Sequence, residues 1–298
     1  MIEFPVSGVE TYWWLPVVVA FGISSLTSMG GLSGAFLLLP FQVSVLGFAG
    51  PAVSPTNLLF NIVAIPSGVL RYRRERRMLW PLAWTIVITT LPGLCIGAFI
   101  RIKYLPDARS FKLFAAAVLL YIGVRLCLDL VRRKGGLAKP GTAAAFHVTN
   151  ASMGLKALRY DFDGDSYRLA FWKLFLLSFT VGIIGGIYGI GGGAIIAPFL
   201  VAAFRLPVHS VAGACLFGTL IGSVGGVAFY ALASVIVGET STPVSPDWLL
   251  GLLFGIGGSA GMYVGARLQR FFPARAIKAI LVAAVLFVVV KYVLEFLR

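Results

Sequence analysis

Of 298 residues, 59% are hydrophobic and only 12% charged, with a mean hydropathy of +0.93. A soluble domain of this size carries roughly twice that share of charge, so a soluble globular protein is excluded. The formal net charge of +14 stands between apolar runs, as in RYRRERR at Arg71–Arg77 and RRKGG at Arg132–Gly136, which marks cytoplasmic loops and anionic lipid headgroups rather than a nucleic-acid partner.

The N-terminus, MIEFPVSGVETYWW, has no basic n-region, so a cleaved leader is not expected. No charge occurs from Thr11 to Leu70, and this run divides into two blocks. The first, Thr11–Phe48, has 38 residues, about 57 Å as one straight helix, which is too long for a hydrocarbon core of about 30 Å. A helix broken at GGLSG (Gly30–Gly34) and returning through Ala35–Leu46 fits the length. The second block carries Thr56, Asn57 and Asn61, the two amides one turn apart on one helix face. Met78–Ile100 and Phe111–Val131 follow, then the polar, basic segment Arg132–Arg168. Within it DFDGDS (Asp161–Ser166) resembles a calcium loop but has Trp172 where an EF-hand needs Glu, and so reads as an acidic turn. The block Leu169–Phe204 contains GIGGG at Gly189–Gly193, where a second break is expected; Leu206–Gly238, Trp248–Ala266 and Ile277–Leu297 complete eight apolar blocks. The expected fold is an all-α polytopic membrane helix bundle. Cys95, Cys127 and Cys215 stand singly in apolar stretches and read as small packing residues.

The chain repeats itself. Gly31, Gly34, Pro40 and Phe41 align with Gly189, Gly192, Pro198 and Phe199 at an offset of 158, and VSPTNLLFN from Val53 meets VAGACLFGT from Val211 at the same offset. Trp80, Gly93, Gly97 and Ala98 meet Trp248, Gly261, Gly265 and Ala266 at offset 168. The expected organisation is a first transmembrane repeat at residues 11–131, a cytoplasmic linker at 132–168 and a second repeat at 169–297. RYRRERR should be cytoplasmic, whereas its counterpart GETSTPVSPD has no Lys or Arg and should lie outside, so the repeats are expected to be inverted. Arg101, Lys103 and Arg109 then face outward. Inverted repeats with helices interrupted at corresponding positions point to a transporter's central site.

GGLSGAFLLLPF and GGIYGIGGGAIIAPFL, followed by SPTNLLFN and AGACLFGT, resemble the TauE/SafE family of sulfite and organosulfonate exporters over nearly all of both halves. The resemblance implies an integral protein of the inner (plasma) membrane that exports a small sulfur-containing anion. Members of the family commonly have Thr or Ser where this chain has Cys215.

The residues carry their own chemistry. A helix that starts inside the membrane presents unpaired N–H groups with about half a positive charge. Two such starts, near Ala35 and Ala194, form an anion site without a buried cation. The candidate binding residues are Gly31, Ser33 and Gly34 at the first break, and Tyr188, Gly191, Gly192 and Gly193 at the second. Thr56, Asn57, Asn61 and Thr219 join them from the helices that follow; the amides are open to either ligand contact or helix-to-helix bonding. Thr27, Ser28, Gln42 and Ser223 are weaker candidates. Gly30, Gly226, Gly93 and Gly261 are assigned to helix packing. GIGGGA lacks the strand and acidic residue of a dinucleotide fingerprint. His147 and His209 stand alone, so no metal or other cofactor is expected. No nucleophile and base come together, and an enzyme is not expected. The partners expected are the anion and membrane lipid, with a homo-oligomer compatible. An anion channel and a non-transporting scaffold subunit are the alternatives.

Overall fold

The computed structural model describes residues 1–29, 32–75, 78–132, 148–154, 157–162, 165–202, 204, 206, 208–237, 243–268 and 274–297. A short hairpin, β1 (Ile2–Phe4) with β2 (Val9–Thr11), opens the chain and turns on Gly8 at φ 64°. Helices α1 (Trp14–Met29), α2 (Ala35–Ser44), α3 (Val53–Ala64), α4 (Pro66–Arg74), α5 (Trp80–Tyr104) and α6 (Ala108–Arg132) follow. Two features punctuate this half: Gly47 at φ 71° lets Phe48 N reach Gln42 O after α2, and Pro66 opens α4 where its missing N–H costs nothing.

The segment expected to be only a polar linker contains a three-stranded antiparallel sheet, β3 (Val148–Met153), β4 (Ala157–Phe162) and β5 (Asp165–Ala170). Asp161–Ser166 is the β4–β5 reversal; Ser166 Oγ donates to Asp161 Oδ1 at 2.6 Å, and residues 163–164 are outside the described set. Leu158, Tyr160 and Phe162 alternate inward along β4 and are buried. The sheet docks on the helices: Tyr160 Oη and Ser210 Oγ lie 3.1 Å apart, and Thr85 Oγ1 reaches Met153 Sδ at 2.9 Å.

The second half comprises α7 (Phe171–Tyr188), α8 (Gly193–Ala202), α9 (Val208–Val237), α10 (Trp248–Leu268) and α11 (Ala274–Leu297). Among the described residues seven stretches are long and apolar enough to cross a membrane: Val53–Arg74, Trp80–Tyr104, Ala108–Leu128, Phe171–Tyr188, Ser210–Ala233, Trp248–Gly265 and Ala279–Phe296. The first apolar block is not among them, because it divides into α1 and α2, each below spanning length. Ile88, Phe99, Leu176, Val235 and Phe287 are exposed, as a lipid-facing surface requires. Exposed Trp14, Trp80, Trp172 and Trp248 stand at helix starts, in the manner of an interfacial belt.

Packing is crosswise: α1 lies on α10, α5 on α7, α3 on α10, α5 on α9, α3 on α9 and α6 on α11. Glycines make the closest seams. A Cβ at Gly93 or Gly97 would collide with the carbonyl oxygens of Phe179 and Ile183 on α7, and one at Gly261 or Gly265 with those of Phe21 and Ser25 on α1. Small residues of this kind let membrane helices approach backbone to backbone. Gly226 packs on Leu58, while Gly30 lies outside the described residues.

Candidate functional site

Helix α7 ends because Gly189 adopts a left-handed conformation at φ 83°, with the N–H groups of Gly189 and Ile190 returning to Gly185 O. Gly191 and Gly192 are also left-handed, at φ 79° and 78°, before the chain enters α8 at Gly193. L-residues resist this conformation by about 1–2 kcal/mol each, which explains the glycine run. Space adds to the constraint: a Cβ on Gly191 would come 2.6 Å from Ser223 Oγ, and one on Gly193 would strike Cys215 O and Thr219 Oγ1.

A buried helix end must have its carbonyls satisfied, and here side chains from other helices supply the donors. Ser54 Oγ donates to Ile187 O at 2.8 Å, Asn57 Nδ2 to Gly189 O at 2.9 Å and Asn61 Nδ2 to Ile190 O at 3.0 Å. Ser54, Asn57 and Asn61 are spaced i, i+3, i+7 and form one polar stripe on α3. Tyr230 on α9 donates to Gly186 O at 3.0 Å. The same stripe holds the start of α2: Asn57 Nδ2 also reaches Ala35 O at 3.0 Å, Ser33 Oγ donates to Asn61 Oδ1 at 2.8 Å and Ala35 N donates to Ser33 Oγ at 3.4 Å. Tyr188 Oη donates to Phe36 O at 2.9 Å, and Gln42 Nε2 to Asn57 Oδ1 at 3.3 Å.

The structure therefore gathers Ser33, Gly34, Asn57, Asn61, Tyr188, Gly191, Gly192, Gly193 and Thr219 where α2, α3, α7, α8 and α9 meet. Thr56 is elsewhere: its hydroxyl donates to Ala52 O at 2.7 Å and accepts from Asp247 N at 2.9 Å. Gly31 lies outside the described residues, as do His147 and the side chain of His209. Of the weaker candidates, Gln42 joins the cluster, Ser223 abuts Gly191, and Thr27 and Ser28 bond back within α1. Sequence reasoning passed over Ser54 and Tyr230. Ser54 had a signal in its spacing of three from Asn57, whereas nothing local marks Tyr230.

Donors remain at this junction. Among the described residues the N–H groups of Gly191, Gly192, Ser33 and Gly34 have no acceptor. The hydroxyl protons of Ser33, Tyr188 and Thr219 are committed, the last to Cys215 O at 2.9 Å. A cavity of about 20 Å³ opens here, lined by Ser33, Gly193, Ala197, Ala212, Cys215 and Thr219, large enough for one water molecule. A larger cavity, about 290 Å³, lies at the surface beside Arg109, Lys112 and Glu295 and contains none of the glycine-run residues. No cluster of three or more metal-ligating side chains occurs among the described residues.

Residues 16–292 match the family model described as sulfite exporter TauE/SafE. The chain is 23% identical over 274 residues to the probable membrane transporter protein YunE of Bacillus subtilis, covering 89% of this chain and 91% of that one. It is 22% identical over 242 residues to a probable membrane transporter of Methanocaldococcus jannaschii, covering 78% of this chain and 79% of the relative. The probable membrane transporter MamO of Paramagnetospirillum magneticum is 23% identical over 285 residues, but these make up 43% of MamO, so the chain spans less than half of that protein. No solved structure matches. With an apolar helical exterior, seven stretches able to cross a membrane and a family match that runs through both glycine runs, the chain belongs to the TauE/SafE sulfite exporter family of membrane transporters.

Proposed function

We propose that the protein exports a small sulfur-containing oxyanion, such as sulfite or an organosulfonate, and holds it where α2 and α8 begin. The observation that carries this reading is the set of uncommitted N–H groups at Ser33, Gly34, Gly191 and Gly192, where Ser33 and the neighbouring Gly193 line a cavity with no cationic side chain. Backbone N–H groups at helix starts attract negative charge and suit an oxyanion's several acceptors. The stripe on α3 serves this indirectly: by satisfying the carbonyls of α7's end it keeps their negative charge away from the anion.

On this reading α1–α2 and α7–α8 are corresponding interrupted helices of two inverted repeats. The crosswise packing supports the correspondence. Exchanging the halves turns the α5–α7 seam into the α10–α1 seam, with Gly93 and Gly97 replaced by Gly261 and Gly265. The cavity is one water wide, so an anion enters only when α8 and α9 part, which fits alternating access better than an open pore.

The test uses purified protein with Cys95 and Cys127 replaced by Ala, leaving Cys215 as a reporter in the cavity wall. Sulfite, thiosulfate, sulfoacetate and sulfate are titrated for binding and thermal stabilisation. Sulfoacetate, which does not consume a maleimide, is then used to protect Cys215 from labelling. Saturable binding with slowed labelling is expected. No binding across the panel, with Cys215 labelled equally fast in sulfoacetate, overturns the reading.

A further inference from the structure

Arg101, in the last turn of α5, is fully buried, and an arginine keeps its charge in a protein. Its Nη2 donates to two carbonyls of the segment between α2 and α3, Ala49 O at 3.0 Å and Gly50 O at 2.9 Å. Its Cζ lies 3.8 Å from the centroid of the Phe111 ring on α6. Nε and Nη1 are buried and have no hydrogen-bond partner among the described residues, so three of the five N–H bonds are unspent. No carboxylate among the described residues forms an ion pair with it. The carboxylate that acts on it is Asp107, which is exposed and whose Oδ2 accepts Ser110 N at 2.8 Å; the Tyr230 hydroxyl close by is neutral and donates to Gly186 O.

A buried cation without a direct ion-pair partner is costly in a protein interior, and in a membrane protein a buried ionisable residue is a candidate for a place on an ion's route. Position strengthens the case. Tyr230 links the surroundings of Arg101 to the last turn of α7, next to the uncommitted N–H groups of Gly191 and Gly192. On the proposed topology this end of α5 faces outward, where a basic residue runs against the usual charge bias.

We propose that Arg101 is a second oxyanion site, which takes the sulfite or sulfonate group on its way between the starts of α2 and α8 and the outer surface. This rests on the reading of the chain as an anion transporter. The guanidinium is closed over by Ala49 and Gly50, so an anion reaches Nε and Nη1 as that segment lifts. Guanidinium is suited to the task because its fork matches oxyanion geometry while its charge does not depend on pH.

The experiment measures the dissociation constants of sulfoacetate and thiosulfate, with the anion-free melting temperature, for wild type, Arg101→Gln, Arg101→Lys and Gly50→Asp. At Gly50 a Cβ would meet nothing within 4 Å, so a carboxylate can be introduced beside the guanidinium without a clash. Arg101→Gln removes the charge and Gly50→Asp neutralises it; each is expected to weaken anion affinity about tenfold or more, the scale of one charge-assisted hydrogen bond. Arg101→Lys keeps the charge but loses the fork, and its affinity should fall between those of wild type and Arg101→Gln. Unchanged dissociation constants in Arg101→Gln and Gly50→Asp overturn the assignment, whatever their melting temperatures; if Arg101→Gln is not recovered folded, Gly50→Asp decides alone. A wild type that binds neither anion sinks the transport reading itself, so the two failures are distinguishable.

Discussion

Asn57 offers both amide hydrogens to carbonyls, Ala35 O and Gly189 O, and its own oxygen accepts from Gln42. Replacing it with Leu leaves Gly189 O and a Gln42 N–H without partners, at about 1–3 kcal/mol for each, and takes from Ala35 O its bond from outside α2. Asn57→Leu is therefore expected to lower the melting temperature sharply while the anion dissociation constant of the folded fraction stays within about threefold, since the amide is committed to the backbone. A tenfold weaker constant at an unchanged melting temperature would make Asn57 a ligand instead. The amides were conspicuous in the sequence because polar groups in an apolar helix need partners. Which partner they take was not legible, because Gly189 and Ile190 lie 132 and 129 residues away. The glycines were legible for the opposite reason: the left-handed conformation is a local demand, written at the residue that meets it.

At the scale of elements, charge-free runs of about 20 residues mark α5, α7, α9 and α10, whereas α6 and α11 carry a few charges and are legible from their apolar content. The sheet β3–β5 is not legible as such in the sequence, although Leu158, Tyr160 and Phe162 alternate with polar residues. The pattern is short and sits in a basic segment, where polarity suggests a loop. Its docking has a pH signature. Burial pushes the Tyr160 phenol from 10.0 up to about 12, so the folded state holds this proton more tightly than the unfolded one. Tyr160's contribution is fully present below about pH 10 and is lost as pH rises towards 12. Melting temperatures compared at pH 9 and pH 11 should fall more steeply for wild type than for Tyr160→Phe, which cannot ionise. Parallel slopes would mean that the ring does not dock as described.

At the scale of the molecule, the orientation of the two halves is open to direct labelling. With the native cysteines replaced, a cysteine at exposed Pro243 is expected to react with an impermeant reagent from outside intact cells, and one at exposed Arg74 only after permeabilisation. Equal accessibility would remove the inverted arrangement. The halves are also locked to one another mechanically. The two glycine seams of the long helices each join a helix from before the sheet β3–β5 to one from after it, α5 to α7 and α1 to α10. Where main chain rests on main chain there is no side chain to bend, so the members of a seam tilt as a couple. The rigid bodies of this protein are thus couples that draw one helix from each half, and neither half can swing independently of the other.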